Sequence, residues 1–364
     1  RVAHALKAAA DRGVTVRVLV DGFGSSATLP ALRQWLAGSA VQLEVFRPLD
    51  RWWSWLQPAQ LRRLHHKICA VDAQVAFVGG INVIDDRFDL HHGWSEHPRL
   101  DFAVRLGGAV AAQVRQAGLA LWNRANLGRG WRDELRELAR SAEPLDRTRQ
   151  LLRELRSGQG SRLERETVVP EPSVEAVRLV VRDNFSQRRA IERAYIQAIG
   201  RARTRIDMAC PYFYPRRAFK RALRRAAARG VRVRLLLQGK IDYRIAAVAA
   251  RVQYDELLAW GVEIHEYTHA FLHAKVAVVD ERWATVGSSN IDPLSLLLNH
   301  EANAVVQDPV FVRDLATRLE TAFAQAPRID QPVLRPGLRG WLARSAIAWL
   351  AALYLRLAGL AGRY

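Results

Sequence analysis

The chain has 364 residues, 49% of them apolar and 8% aromatic, which excludes disordered and fibrous classes and leaves room for two ordinary domains or one large duplicated one. Its 55 Lys+Arg against 36 Asp+Glu give a net charge of +19, so the surface suits an anionic polymer or an anionic membrane leaflet.

In chain order, "ALKAAADRGVTVRVLVDG" (5–22) predicts an Ala-rich helix, an Arg-Gly cap and a buried strand. The loop "RWWSWLQP" follows, with Arg51, Trp52, Trp53 and Trp55. Trp favours a membrane interface, and a lid over the fold is the competing reading. Next comes "LHHKICAVDAQVAFVGGIN" (64–82), containing Cys69. Cys69 and Cys210 both lie in apolar strand-like runs, so both are expected to be buried free thiols in a reducing compartment. His91, His92 and His97 in "DLHHGWSEHP" lack a Cys or a carboxylate pair at ligand spacing, so no metal is expected there. "RLDFAVRLGGA" carries Asp101. Residues 126–175 are charged and punctuated by Gly and Pro, as expected of a linker with one or two exposed helices.

The second half repeats the first. "ALRRAAARGVRVRLLLQG" (222–239) matches residues 5–22, and "LHAKVAVVDERWATVGSSN" (272–290) matches residues 64–82. His65 to Asn82 and His273 to Asn290 are the same 17 residues apart, while the first copy holds nine extra residues before its motif, around the Trp loop. Strand, basic amphipathic helix and strand ("AVRLVVRDN", "QRRAIERAYIQAIGRAR", "RIDMACPYFYP") precede the second copy, and nothing equivalent stands before Arg1. The first repeat is therefore expected to be truncated at its N-terminus and to show an uncovered sheet edge or apolar patch. The expected fold class is α/β, with domains at 1–125, 126–175, 176–328 and 329–364. The last is a tail whose Arg335, Arg339, Arg344, Arg356 and Arg363 flank apolar residues, as in a helix lying in the headgroup plane; folding back onto the core is the alternative. Its longest uncharged apolar run, 345–355, is too short to span a bilayer.

Strand alternation puts His65 with Lys67, and His273 with Lys275, on one face. Asp72 and Asp280 fall five residues after each Lys, on the opposite face, and read as residues that hold a turn. The small residues Gly80, Ser288 and Ser289, with Asn82 and Asn290, suit the close approach of an anion. Two Lys and two Asn could clamp a phosphate, one imidazole attacking phosphorus while the other supplies a proton. Asp101 and Glu301 are candidates for fixing the imidazole tautomers.

These motifs, H-x-K-x-x-x-x-D followed by a Gly-Ser-x-Asn-like segment, resemble the phospholipase D superfamily. "PYFYP", "RRAAARGVRVRLLLQGKID" and "WATVGSSNIDPLSLLLNHEANAVV" resemble its bacterial cardiolipin synthases, in the form without an N-terminal pair of transmembrane helices. The resemblance implies two α/β/α sandwich repeats about a pseudo-twofold axis, a catalytic set of His65, Lys67, Asp72, Asn82, His273, Lys275, Asp280 and Asn290, no metal and no other cofactor. It also implies phosphatidyl transfer between phosphatidylglycerol molecules with release of glycerol, through a phosphohistidine. His65 is then the nucleophile and His273 the general acid and base. The expected partners are anionic phospholipids at the cytoplasmic face of a bacterial inner membrane, without nucleic acid. A phospholipase using water, a nuclease of the same superfamily and a catalytically silent membrane scaffold remain as rivals.

Overall fold

The Ala-rich segment of the first copy forms helix α1 (Val2–Asp11), and Gly13 closes it at φ +85°. The aliphatic runs beyond form β1 (Arg17–Asp21) and, after helix α2 (Leu29–Leu36), β2 (Gln42–Phe46), paired in parallel from Arg17 with Gln42 to Asp21 with Phe46. Strands β3 (Ile68–Val71), β4 (Val75–Gly79) and β7 (Ala103–Gly107) form a sheet in the order β3-β4-β7, while β5 (Phe88–Asp89) and β6 (Gly93–Trp94) make a small ribbon. Helix α3 (Gly108–Arg140) continues past residue 125, so the region expected to be linker begins as helix. The computed structural model describes residues 1–48, 63–89, 93–140, 176–183, 187–240, 251, 253–292, 295–296 and 299–330. The Trp loop at 51–58, His91, His92, the linker beyond 140 and the basic tail beyond 330 lie outside the described residues.

The second copy is built on an eight-stranded mixed sheet. Its elements are β8 (Val177–Arg182), α4 (Ala190–Arg201), β9 (Arg205–Ala209), α5 (Arg217–Ala228), β10 (Arg232–Gln238), α6 (Tyr254–Leu258), β11 (Glu263–Tyr267), β12 (Val276–Val279), β13 (Trp283–Gly287), β14 (Glu301–Val306), α7 (Pro309–Ala324) and β15 (Arg328–Ile329). The strand order is β15-β11-β10-β9-β12-β13-β14-β8. Alternation sorts the sheet's two faces. Ile206, Met208, Val233, Leu235, Ala277 and Val279 pack with Ile191, Tyr195, Ile199, Phe219 and Leu223 of α4 and α5. The opposite face meets α7, where Arg234 bonds Asp207 through two nitrogens at 2.7 and 3.0 Å and reaches Glu320 of α7 at 2.6 Å. An α/β/α layering results.

β9 explains the contrast between the copies. It lies between β10 and β12, whose counterparts are β1 and β3; among the described residues no strand stands between β1 and β3. Accordingly β12 is buried throughout while Cys69, Ala70 and Val71 of β3 are exposed. The Cys69 thiol is therefore exposed, contrary to the expectation of two buried thiols; Cys210, directly after β9, is buried and burial pushes it up to about 12.

Contacts between segments divide the chain into two compact units. One unit comprises Arg1–Leu64, Ile68–Ala76 and Leu106–Ser173, and the other His65–Lys67, Phe77–Arg105 and Val174–Tyr364. The first copy's His65, Lys67, Asn82 and Asp101 thus all belong to the same unit as the whole second motif.

Asp207 is fully buried between Arg205 and Arg234. Asp207→Ala takes the fully buried partner from Arg234 and Arg205, leaving them the more exposed Glu320 and Glu281, and should lower the unfolding free energy of this unit by about 3 kcal/mol, read from urea denaturation. A change below about 1 kcal/mol would show that the charge cluster is not structural.

Candidate active site

The His-x-Lys segments sit just ahead of β3 and β12, in extended chain, and the same hydrogen bonds recur in each. Gly79 N–H donates to Lys67 O (3.2 Å) and Gly287 N–H to Lys275 O (3.1 Å). Gly80 N–H donates to Phe102 O (2.9 Å) and Ser288 N–H to Ala302 O (3.0 Å). Each lysine ammonium donates to the carbonyl of its own histidine, Lys67 to His65 at 3.1 Å and Lys275 to His273.

The histidines exchange partners. His65 N–H donates to His300 O (3.0 Å), and its ring Nδ1 lies 2.9 Å from Oε2 of the next residue, Glu301. His273 N–H donates to Leu100 O (2.9 Å), and its Nδ1 lies 2.6 Å from Oδ2 of the next residue, Asp101. Each motif's imidazole is thus held, by backbone and by carboxylate, on the chain that follows the other motif. With the carboxylates ionised, the Nδ1 atoms carry the protons and each Nε2 keeps a lone pair.

Burial and charge set the protonation states. Burial lowers the pKa of His65 even though Glu301 opposes it. Burial would raise Glu301, but His65, Lys67 and the Ser288 hydroxyl outweigh it and hold Glu301 below the usual carboxylate range. In the other pair, burial lifts Asp101 to about 6 against the pull of Lys275, and burial with Lys275 and Lys67 holds His273 well below its ordinary value. Burial brings Lys275, 1% exposed, down to about 8. The electrostatic influence of Lys67 and Lys275 on both imidazoles places the four side chains around one site.

The copies differ behind the carboxylates. Ser288 Oγ donates to Glu301 Oε2 at 2.5 Å. At Gly80, the matching position, a Cβ would collide with Asp101 Oδ1, so the shorter acid and the missing side chain go together. Ser288 and Ser289, expected to face phosphate, are instead buried: the Ser289 hydroxyl donates to Asn290 O at 3.1 Å. Asn290 is 9% exposed, and its amide oxygen has no hydrogen-bond partner among the described residues; Asn82 is exposed. The two asparagines are not equivalent.

Asp72 and Asp280 do not join the histidines. Asp72-Ala73 and Asp280-Glu281 have φ of +51° and +54° in both copies, a left-handed backbone in a tight turn that Asp tolerates. Asp280 also accepts from the N–H groups of Arg203, Thr204 and Arg205 at 2.7 to 2.9 Å. Each motif carboxylate thus holds a turn, and its carboxyl group makes no contact with either imidazole among the described residues. His97 stacks on His269 at 3.8 Å between ring centroids. Among the described residues no group of three His, Cys, Asp or Glu side chains could hold a metal ion. The backbone carbonyls of Leu100 and His300 are site elements that no sequence pattern marks.

A family model described as "Cardiolipin synthase, PLD-like domain" matches residues 1–93 and 195–326. The chain is 35% identical over 347 residues to Cardiolipin synthase B of Escherichia coli strain K12, covering 95% of this chain and 76% of that protein. It is 28% identical over 332 residues to Cardiolipin synthase 1 of Bacillus cereus, covering 90% of this chain and 60% of that protein. Phosphatidylserine synthase of Haemophilus influenzae shares the fold with a TM-score of 0.57 at 12% identity, over 97% of this chain and 91% of that one.

Ser288→Ala removes a donor from Glu301, so the Glu301 pKa should rise and the still ionised carboxylate, its charge no longer shared with the hydroxyl, should raise the pKa of His65. NMR titration of the His65 ring protons reads this; an unchanged His65 would separate the hydroxyl from the imidazole.

Proposed function

Because the chain belongs to the cardiolipin synthase family of phospholipase D-like proteins, we propose that it is a phosphatidyltransferase that converts two phosphatidylglycerol molecules into cardiolipin and glycerol. The observation that carries this reading is the exchanged pair of imidazole–carboxylate contacts beside Lys67 and Lys275. Each Nε2 is left to do chemistry while two ammonium groups supply the positive charge that a phosphodiester needs.

His65 is the nucleophile in this reading. His65 and Glu301 are both shifted downward, so their pair takes up no extra proton at neutral pH and the imidazole is neutral. The His273–Asp101 pair takes up one proton as a unit near the value of about 6 set at Asp101, and that proton serves the leaving group. Nε2 of His65 attacks the donor phosphorus: the P–N bond forms, the P–O bond to glycerol breaks, and the proton passes to the glycerol oxygen. The His273–Asp101 pair then takes a proton from a hydroxyl of the second phosphatidylglycerol, whose oxygen attacks phosphorus and releases His65. Lys67 and Lys275 hold the phosphate oxygens. The substrate is an anionic lipid, so the enzyme works at a membrane surface; among the described residues no helix is long and apolar enough to cross one.

Incubation with phosphatidylglycerol vesicles should yield cardiolipin and glycerol in equal amounts. Phosphatidic acid alone would make the enzyme a hydrolase, and untouched lipid with nicked plasmid DNA a nuclease. His65→Ala and His273→Ala should each lower kcat by about 10³-fold or more. Only His273→Ala should accumulate phosphatidyl-protein detectable by mass spectrometry; accumulation in His65→Ala reverses the roles.

The pH profile follows from the sign of the shifts. The proton on the His273–Asp101 pair is present below about 6 and lost as pH rises, and the Lys275 charge is lost above about 8. In the free enzyme kcat/KM should therefore fall through about 6 and again through about 8. Binding the phosphodiester anion raises both values, so the kcat profile should fall at higher pH than kcat/KM. A kcat/KM that rises between 6 and 8 contradicts this assignment.

A further inference from the structure

Between residues 187 and 230, ten arginines are exposed, while both carboxylates in the span, Glu192 and Asp207, are buried. The arginines fall on the outer stripes of two packed helices. On α5, Arg217, Arg221, Arg224 and Arg225 recur at helical spacing opposite the buried Phe219, Leu223 and Ala226. Arg189 and Arg193 continue the charge onto the outside of α4. Arg229 donates to Ile199 O (3.1 Å) and Ala202 O (3.2 Å), which brings the C-terminal ends of α4 and α5 together. Their N-terminal ends border a groove of about 560 Å³ walled by Arg189, Arg216, Arg217 and Arg221.

The charge at the N-terminal end of α5 does not serve the helix. Cations at a helix N-terminus oppose its dipole, and α5 has no acidic residue in its first turn to compensate. Among the described residues Lys220 in the groove pairs with Glu256 at 2.6 Å, and the buried Glu192 also lines the groove. The groove also adjoins the site: Tyr214 N–H, just before α5, donates to Ile291 O at 2.7 Å, and Ile291 follows Asn290.

We propose that the outer face of α4 and α5 is the surface by which this protein lies on an anionic bilayer, with lipid phosphates entering the groove beside the Asn290 loop. The proposal rests on the reading that the substrate is a membrane lipid. Positive charge spread over the exposed faces of two helices complements an anionic leaflet, where each arginine contributes about 1 kcal/mol, or about fivefold in partitioning. The aromatic side chain in the groove lining is the partly buried Tyr214, so successive bases would find no run of rings to stack on, and nucleic acid is the less favoured occupant.

The test is flotation of the full chain with vesicles of phosphatidylcholine alone or with 30% phosphatidylglycerol, at low and high salt, for the wild type and for Arg193→Gln/Arg224→Gln/Arg225→Gln, on the outer helix faces and outside the groove. All three sites are exposed, and a thermal melt checks that the variant folds. The wild type should bind only the anionic vesicles and release in salt, and the variant should bind about a hundredfold more weakly. Its turnover of monomeric short-chain phosphatidylglycerol should match the wild type. Equal binding of variant and wild type to anionic vesicles overturns the proposal, as does a variant that loses affinity for duplex DNA alone. Failure of the function reading shows separately, as no cardiolipin from either protein while the binding difference persists.

Discussion

The exchange of partners between two histidines and two carboxylates is the contact on which this site depends. A single His-x-Lys on extended chain is an imidazole beside an ammonium, with nothing to fix the ring. Here His65 is gripped at its N–H by His300 O and at Nδ1 by Glu301, and His273 in the same way by Leu100 O and Asp101. Because each grip comes from the chain following the other motif, neither copy can complete its own imidazole. A duplicated sequence yields one site because of this crossing. It also accounts for segments 65–67 and 77–105 packing with the second unit rather than with the rest of the first.

Burial makes the exchange effective and costly together. Lys275, 1% exposed, would destabilise the site if it were alone, and a carboxylate as enclosed as Glu301 would neutralise itself. Held within reach of one another, cations and anions offset much of each other's desolvation, and the imidazoles between them are kept from charging. The result is fixed positive charge with two free Nε2 lone pairs, which is the electrostatic condition for phosphoryl chemistry on a protein-only scaffold.

The departures from twofold symmetry are as informative as the symmetry. Ser288 donates to Glu301, whereas Gly80 leaves room for Asp101, and the consequence is one carboxylate pulled down and the other lifted to about 6. Two chemically identical imidazoles thereby acquire different proton affinities, as a mechanism with one nucleophile and one proton donor requires. The buried Asn290 against the exposed Asn82 tilts the site further toward the second copy.

Much of this was legible in the residues. The repeat, the His-Lys pairs, the glycines beside the anion site and the candidacy of Asp101 and Glu301 follow from spacing, because strand alternation and the demands of phosphate chemistry act locally. The same parity put Asp72 and Asp280 on the face away from the histidines, and both stand at positive φ in a turn. Other features were beyond local reading. Cys69 lies in an apolar run as Cys210 does, yet only the neighbouring strand decides which thiol is covered, and β9 stands beside one copy only. Ser288 reads as a phosphate donor until the position of Glu301 turns its hydroxyl inward. The sequence by itself determined which chemical groups recur and which face of the chain they occupy; only the tertiary structure decided that each histidine takes its carboxylate from the other copy, since that choice is made by contacts between segments more than 170 residues apart.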